Sequence, residues 1–247
     1  MSIEDPEEIA KFEKMAHEWW DPDGKFKPLH RINPLRTEYI CMQLRQSPRA
    51  RLEGLNILDI GCGGGILSES LDGQGANVTA IDRSETIIGV ARTHQKESGS
   101  KVEYRVQSLG ALAKEKTGSF DAVLAMEVLE HVPDVPTFLQ ECAVLLKPGG
   151  HLFFATLNKT AQAWLMAIVG AEYILRWLPR GTHDFEKFIR PSDLGHWLRQ
   201  AGVMMRDVRG MRYIPWRDSW ELVVGKADVN YLGYGVLGEH PNVREPS

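Results

Sequence analysis

The stretch that decides the fold is Leu58-Asp59-Ile60-Gly61-Cys62-Gly63-Gly64-Gly65-Ile66. It begins as a buried strand and passes into a helix, with glycines at the junction. Glycine lets the backbone turn sharply there and approach a ligand that a Cβ atom would exclude. A dinucleotide fingerprint needs a further glycine at position 66, where this chain has isoleucine. The loop therefore predicts a ligand site but disfavours a nicotinamide dinucleotide.

Working outward from this loop, apolar strand-like runs alternate with helical segments. Such an alternation is typical of parallel βαβ units and of a doubly wound sheet with helices on both faces. The predicted strands are Leu55–Ile60, Asn77–Asp82, Val102–Val106, Phe120–Met126 and His151–Leu157, and the predicted helices are Ile66–Leu71, Ser84–Glu97 and Val135–Leu146.

The C-terminal part of the chain predicts how the sheet closes. A helix is expected at Ser192–Gln200, followed by a pair of strands at Val203–Val208 and Trp220–Val224. The fold class is thus α/β, with a doubly wound, seven-stranded Rossmann-like sheet. We expect a single domain, in which residues 1–52 form an N-terminal helical cap and residues 53–247 form the core. A helical, apolar insertion follows strand five at about 159–190.

Composition excludes several classes of protein. The 247 residues carry 29 basic and 33 acidic side chains, and a net charge of -4 gives no reason to expect nucleic-acid binding. Three scattered cysteines fit neither a disulfide scaffold nor a zinc ribbon, and they suit a reducing cytosol. The acidic first residues predict no secretory signal. No apolar run approaches the roughly 20 residues needed to span a bilayer, so we expect a soluble intracellular protein.

Two aspartates accompany the glycines. Asp82 ends the second strand, where a carboxylate can accept both hydrogen bonds of a ribose diol. Nicotinamide enzymes place an acid similarly, so Asp82 alone does not identify the ligand, and it could also merely cap the next helix. Asp59 could contact a cofactor or only brace the loop.

An acidic cluster follows the fourth strand, in Met126-Glu127-Val128-Leu129-Glu130-His131. Ligands of open α/β sheets lie beyond the carboxyl ends of the strands, so this turn should border the same crevice as the glycine loop. If a helical turn begins here, Glu127, Glu130 and His131 project from one face and could hold a divalent cation or act as a general base. They could equally cap the turn, and Met126 could face a purine or belong to the core.

An apolar segment, Ala163–Leu178, lies between the fifth strand and the next helix. It is too short to span a bilayer, so it is either a lid over a substrate pocket or a segment that lies in the membrane interface. Basic residues outnumber acids downstream of it and could meet anionic headgroups. His183 could reach the pocket, although a lone loop histidine is more often structural.

The residues assembled so far resemble those of a known family. The pattern Asp59-x-Gly61-x-Gly63-x-Gly65 resembles motif I of the class I S-adenosylmethionine (SAM)-dependent methyltransferases. Within that class the chain looks like the ubiquinone-biosynthesis O-methyltransferases from Glu8 to about Pro215. The more specific matches are Lys27-Pro28-Leu29-His30-Arg31-Ile32-Asn33-Pro34-Leu35-Arg36, Glu127-Val128-Leu129-Glu130-His131 and Gly170-Ala171-Glu172-Tyr173-Ile174-Leu175.

The resemblance implies both O-methylation steps of ubiquinone biosynthesis, on polyprenylated catechol or quinol intermediates. It implies that SAM is bound by Arg36, Gly61, Asp82 and Met126. Asp59 and Gly63, which lie in the same loop as Gly61, are further candidate SAM-binding residues. It implies Mg²⁺ held by Glu127, Glu130 and His131. Because the product of this family is isoprenoid, the resemblance also favours contact of residues 163–180 with anionic lipids. It implies a cytoplasmic protein that lies peripherally at the inner face of the membrane. Other ubiquinone-biosynthesis proteins are possible partners.

The expected reaction is an in-line displacement at the sulfonium methyl group, for which the protein aligns the reactants and prepares the nucleophile. Either a chelated cation favours the phenolate, or His131 or Glu127 accepts the phenol proton. Two alternatives stay open at this point: methylation of carbon or of another small acceptor, and a non-catalytic, membrane-docked scaffold.

Overall fold

The computed structural model describes residues 15–47, 50–160, 185–217 and 219–238, together with Ala10, Glu13 and Ala163. Within this part of the chain, eight strands form one sheet in the order β3-β2-β1-β4-β5-β8-β6-β7. They are β1 (Asn56–Ile60), β2 (Asn77–Asp82), β3 (Glu103–Val106), β4 (Phe120–Met126), β5 (Leu146–Leu157), β6 (Val203–Ile214), β7 (Ser219–Val224) and β8 (Asn230–Leu237).

The first five strands are parallel, as the alternating pattern predicts. Their carboxyl ends meet at one edge of the sheet, since Ile60 pairs with Ile81 and Met126 pairs with Ala155. Strand β8 is antiparallel to both β5 and β6, and β7 is antiparallel to β6. The α/β class and the doubly wound arrangement are confirmed.

The expected count of seven strands is wrong by one. Strand β8 is inserted between β5 and β6, and β6 continues six residues beyond the expected end at Val208. The sequence of β8 contains Gly233 and Gly235, which weaken any strand signal. Both glycines have a packing reason, because a Cβ atom at Gly233 would lie 2.3 Å from the carbonyl oxygen of Asp207 and one at Gly235 would lie 2.6 Å from Val203.

Six α-helices cover the two faces of the sheet within the described residues. They are α1 (Lys27–Arg45), α2 (Ile66–Gly73), α3 (Glu85–Ser98), α4 (Leu109–Glu115), α5 (Val135–Leu145) and α6 (Pro191–Gln200). Helices α1, α2 and α3 contribute to one apolar core and helices α4, α5 and α6 to the other. Burial of these two clusters is the main stabilising term of the fold.

Helix α1 lies in the basic segment that precedes the glycine loop. It begins with Pro28 in its first turn, where a missing N–H is tolerated, and Gln46 ends it in the left-handed conformation at a φ of 57°. Ile32, Tyr39 and Ile40 pack into the core of one sheet face, and Arg36 on the same helix is also buried. The helix therefore carries a charged group towards the carboxyl edge of the sheet.

Several predicted features lie wholly or mostly outside the described residues. These are most of the first 14 residues of the expected N-terminal cap, and residues 161–162 and 164–184 of the insertion, which include His183. Before α1, the structure describes Ala10 and Glu13 as helical residues and a 3-10 turn at Ala16–Glu18. Where the chain is described, no helix combines the length and the apolar character that crossing a bilayer requires.

Candidate active site

The site is built where the carboxyl ends of β1, β2 and β4 meet. The glycine loop follows β1, Asp82 ends β2 and Met126 ends β4. A Cβ atom built on Gly61 would lie 2.7 Å from Cγ2 of Val128, so the glycine loop touches the turn after β4. The two sequence motifs therefore border a common crevice, as expected for an open α/β sheet.

The glycine loop requires glycine for its backbone as well as for space. Gly61, Gly63 and Gly65 have φ values of +64°, +56° and +92°, which L-residues with side chains rarely adopt. Gly64 has no such φ, and its requirement is purely steric because a Cβ atom there would lie 2.2 Å from Cδ1 of Trp19. The loop leads directly into α2.

Asp82 is held by backbone donors on both of its carboxylate oxygens. Oδ2 accepts from the Gly63 N–H at 3.2 Å, and Oδ1 accepts from the Ser84 N–H at 3.0 Å. Burial raises the pKa of the Asp82 carboxyl, although these two N–H groups act in the opposite direction. The carboxylate is thus fixed in place beside the glycine loop, with lone pairs remaining for a ligand.

Asp59 lies beneath the loop and is only 3% exposed. The hydroxyl of Ser68 on α2 donates to its Oδ2 at 2.6 Å, which ties β1 to the helix. Burial raises the pKa of Asp59 to about 6, and the Ser68 hydrogen bond and the charge of Arg36 moderate the rise. This geometry matches the bracing alternative, and a direct cofactor contact by Asp59 stays a prediction.

Glu127 and Arg36 form an ion pair in the crevice. Nη2 of Arg36 donates to Oε1 of Glu127 at 2.7 Å, and the Arg36 side chain is only 7% exposed. Burial raises the pKa of the Glu127 carboxyl to about 7, helped by the neighbouring Glu130 and opposed by Arg36. Within the described residues, the buried Nε of Arg36 has no hydrogen-bond partner. The pair therefore keeps one donor available for a further acceptor.

The turn after β4 differs from the helical turn expected there. Only Leu129–His131 forms a 3-10 turn, and Glu127 has a left-handed φ of +56°, so Glu127 does not share a helical face with Glu130 and His131. Glu130 is buried, and its Oε2 accepts from Oγ1 of Thr156 on β5 at 2.7 Å. The backbone N–H of His131 donates to the carbonyl of Val128.

The predicted magnesium ligands are not assembled as a three-ligand site. Among the residues that the structure describes, no group of three or more His, Cys, Asp and Glu side chains could hold a metal ion. Glu127 instead pairs with Arg36, and Glu130 bonds Thr156. Met126 is 8% exposed and packs into the core with Leu124 and Ala155, and its contact with a purine stays a prediction.

Comparison with known proteins identifies the family. A model of the methyltransferase domain matches residues 30–207. A ubiquinone biosynthesis O-methyltransferase of Xanthomonas euvesicatoria is 53% identical over 229 residues, which cover 93% of each chain. One of Pseudomonas putida is 52% identical over 94% of this chain and 97% of the relative. The chain belongs to the ubiquinone biosynthesis O-methyltransferase family. Both the family and the SAM-dependent O-methyltransferase activity predicted from the sequence are confirmed.

Solved structures agree on the fold of this family member. A SAM-dependent methyltransferase of Thermotoga maritima matches with a TM-score of 0.60 at 18% identity, over 92% of this chain and 99% of the other. The magnesium protoporphyrin IX methyltransferase of Synechocystis, solved with bound S-adenosylhomocysteine (SAH), matches with a TM-score of 0.58 at 19% identity, over 84% and 82%. At such identities the likeness supports the architecture alone.

Two neighbours of the glycine loop, Trp19 and Trp20, are not among the predicted site residues. Trp19 packs on the loop, and Nε1 of Trp20 donates to the carbonyl of Gly64 at 2.8 Å. Both tryptophans occur in the segment that resembles the O-methyltransferase family, but no local spacing rule relates them to residues more than 40 positions away. A pair of adjacent tryptophans before a turn sequence is the signal that could have drawn attention to them.

Proposed function

We propose that this O-methyltransferase transfers the methyl group of SAM to a phenolic oxygen of polyprenylated catechol or quinol intermediates, in both O-methylation steps of ubiquinone biosynthesis. The main observation behind the proposal is the contact between the glycine loop and the turn that contains Glu127. This contact places a glycine-rich loop suited to bind a nucleoside in the same crevice as a carboxyl group of raised pKa. The names of the close relatives support the choice of substrate class.

The cofactor half of the site would use residues of three elements. Asp82, whose carboxylate is fixed by two backbone N–H groups, would accept the two hydroxyls of the ribose. Arg36 would bind the methionyl carboxylate, and its partnerless Nε is a donor that such a carboxylate would satisfy. Gly61 and Gly63 would let the nucleoside approach the backbone, and Met126 would lie against the purine.

The proposed reaction is an in-line displacement. The phenolic oxygen attacks the methyl carbon, the carbon–sulfur bond breaks, and the electron pair of that bond remains on sulfur to give SAH. The phenol proton passes to the carboxylate of Glu127, and a methyl ether results. A free phenol has a pKa of about 10, so a base with a pKa near neutrality assists its ionisation. His131 is the alternative proton acceptor.

A radiolabel assay tests this proposal. The purified protein is mixed with SAM that carries a labelled methyl group and with a short-chain prenylated catechol, and the product is analysed for a labelled methyl ether. We expect label on oxygen. Label on a ring carbon would indicate a carbon methyltransferase, and an absence of transfer despite SAH binding would favour the non-catalytic scaffold.

A magnesium requirement is a separate proposal. It is supported by the closeness of the Glu127 and Glu130 carboxyls and by the preference of Mg²⁺ for oxygen ligands. As they are arranged here, Glu127, Glu130 and His131 do not fit a three-ligand site, and the reaction above requires no cation. Chelator-treated enzyme that regains activity only with added Mg²⁺ would support the requirement. Full activity in the presence of chelator would contradict it.

Membrane contact is also a proposal, and it rests on the sequence of residues 163–180, most of which lie outside the described structure. Its support is the apolar character of the segment, the basic residues that follow and the isoprenoid nature of the proposed substrate. It would place the enzyme on the cytoplasmic side of the inner membrane, within reach of other ubiquinone-biosynthesis proteins. Deletion of residues 163–178 should reduce sedimentation with anionic liposomes, and undiminished sedimentation would leave the segment as a lid.

A further inference from the structure

We infer that Trp19 and Trp20 are positioning residues for SAM, acting through the glycine loop. We call these two residues the tryptophan clamp. The inference rests on the proposed SAM-binding function, and it gives a part of the N-terminal cap a role in that function. The inference is based on the contact of the two indoles with the glycine loop. Trp19 packs against Gly63 and Gly64, and Trp20 forms a hydrogen bond with Gly64. The proposed function assigns no residue to hold this part of the loop in place.

Trp19 contacts the loop from one side. Cβ atoms built on Gly63 and Gly64 would lie 2.0 Å and 2.2 Å from atoms of its indole ring, so the ring is seated on the bare glycine backbone. Trp19 is 6% exposed and stacks on Phe26 with a centroid separation of 4.0 Å. The indole is thus held rigidly on the loop by the rest of the cap.

Trp20 fixes the loop through a hydrogen bond. Its Nε1 donates to the carbonyl oxygen of Gly64 at 2.8 Å, and its ring stacks on the imidazole of His94 with a centroid separation of 3.3 Å. Nδ1 of His94 lies 3.0 Å from Oε2 of Glu69 on α2. A chain of contacts therefore connects α3 and α2 to the carbonyl of Gly64.

The cap also reaches the other wall of the proposed cofactor site. The hydroxyl of Ser84 donates to Oε1 of Glu13 at 2.6 Å, and the backbone N–H of Ser84 donates to Asp82. The cap therefore contacts both the glycine loop and the residue that supports Asp82. A glycine-rich backbone has more conformations to lose than any other, so a contact that restricts it before the ligand arrives lowers the entropic cost of binding.

The first test is Trp20→Phe, which keeps an aromatic ring on His94 but removes the donor to Gly64. Trp216→Phe is the matched control, because Trp216 is 83% exposed on the β6–β7 hairpin. We expect Trp20→Phe to raise the dissociation constant of SAH and the KM for SAM by about 3- to 10-fold, the equivalent of one neutral hydrogen bond. We expect kcat at saturating SAM and the KM for the catechol to change less than twofold.

Each outcome of this test is decisive. A weaker SAH affinity with unchanged kcat in Trp20→Phe, and none in Trp216→Phe, supports the clamp. A lower melting temperature with unchanged SAH affinity overturns it, because Trp20 would then be a purely structural residue. If the unaltered protein binds no SAH in calorimetry, the proposed function itself fails, and that result is recognisable without any variant.

A second test uses Gly64, whose φ is compatible with alanine. The three atoms nearest to the methyl group of Gly64→Ala would all belong to the Trp19 ring, and we expect the substitution to weaken SAH binding more than 10-fold in the otherwise unaltered chain. In a Trp19→Ala background, where that ring is gone, adding Gly64→Ala should change SAH affinity less than twofold. Equal losses in both backgrounds would overturn the role of Trp19.

Discussion

The β1–β2 end and the β4 end of the candidate crevice differ in how far their polar groups are hydrogen-bonded. At the β1–β2 end, both oxygens of Asp82 accept backbone N–H groups, Asp59 accepts from Ser68, and the carbonyl of Gly64 accepts from Trp20. At the β4 end, Arg36 retains a buried Nε without a partner among the described residues, and Glu127 is held in a left-handed conformation.

This difference teaches where binding and where chemistry are expected. The β1–β2 end is complete before any ligand arrives, which suits a rigid site that recognises a constant cosubstrate. Beside the Arg36 donor proposed for the methionyl carboxylate, the β4 end holds Glu127, a strained residue with a carboxyl of raised pKa, and such features cluster where reactions occur. Variants of the two ends should therefore separate turnover from cofactor affinity.

The largest expected effect is on turnover, from Glu127→Gln. The amide cannot accept the phenol proton, so kcat should fall by about 100- to 10,000-fold, the usual contribution of a general base. The dissociation constant of SAH should change less than threefold, because Arg36 remains available to the cofactor. Steady-state methylation and calorimetry measure the two quantities. Glu38→Gln, an exposed position on the same helix as Arg36, should alter neither. Near-normal turnover in Glu127→Gln would exclude Glu127 as the base and leave His131 or a bound cation to promote ionisation of the phenol.

The next effect is on stability at the β1–β2 end, from the buried Asp59. Its folded pKa of about 6 lies above the unfolded value of about 3.9, so the folded state binds the proton more tightly. Its contribution to the free energy of unfolding is therefore present below about pH 4 and is lost as the pH rises through 6. The difference between the unaltered protein and Asp59→Asn should change by up to about 3 kcal/mol across this window.

Denaturant titrations at pH 4, 5, 6 and 7.5 measure this difference, because the other titrating groups cancel between the two proteins. Asp59→Asn should gain stability relative to the unaltered protein as the pH rises. A difference that does not vary with pH would show that Ser68 and Arg36 stabilise the ionised carboxylate enough to offset its burial. Burial of the ionised Asp59 carboxylate at the β1–β2 end would then not destabilise the folded protein.

The sequence predicts the β1–β2 end better than the β4 end, for a physical reason. Strands β1, β2 and β4 are mostly apolar, and the glycine loop joins β1 to a helix within nine residues, so both signals are local. Glu127 has a left-handed φ of +56°, which non-glycine residues rarely adopt and which its residue type therefore does not predict. The expectation of one helical face for Glu127, Glu130 and His131 failed for that reason.

Long-range contacts were also beyond reach of local patterns. The pairing of Trp20 with Gly64 joins residues 44 positions apart, and the ion pair of Arg36 with Glu127 joins residues 91 positions apart. Strand β8 was not predicted because Gly233 and Gly235 lower the strand propensity of the segment. Glycine is needed at both positions because a Cβ atom would clash with the neighbouring strand β6. In each case the missing information was which residues meet in space.

A smaller effect is expected on cofactor affinity from Asp82→Ala. The variant loses hydrogen bonds between a charged group and the ribose, which are worth about 1.5–3 kcal/mol, or about 10- to 150-fold in the dissociation constant of SAH. Calorimetry with SAH measures the change, and Asp23→Ala, an 80% exposed side chain, is the control. Unchanged affinity in Asp82→Ala would place the nucleoside elsewhere and remove the assignment of the β1–β2 end to the cofactor.

The smallest effect compares two serines that cap helices in the same way. Ser84 Oγ accepts from the Ile87 N–H at the start of α3, and Ser108 Oγ accepts from the Ala111 N–H at the start of α4. Replacing either by alanine should lower the free energy of unfolding by about 1 kcal/mol. Only Ser84 also donates to Glu13 of the cap, so only Ser84→Ala should weaken SAH binding, by about two- to threefold. The same change in SAH affinity in both variants, or no change in either, would mean that the cap does not participate in cofactor binding.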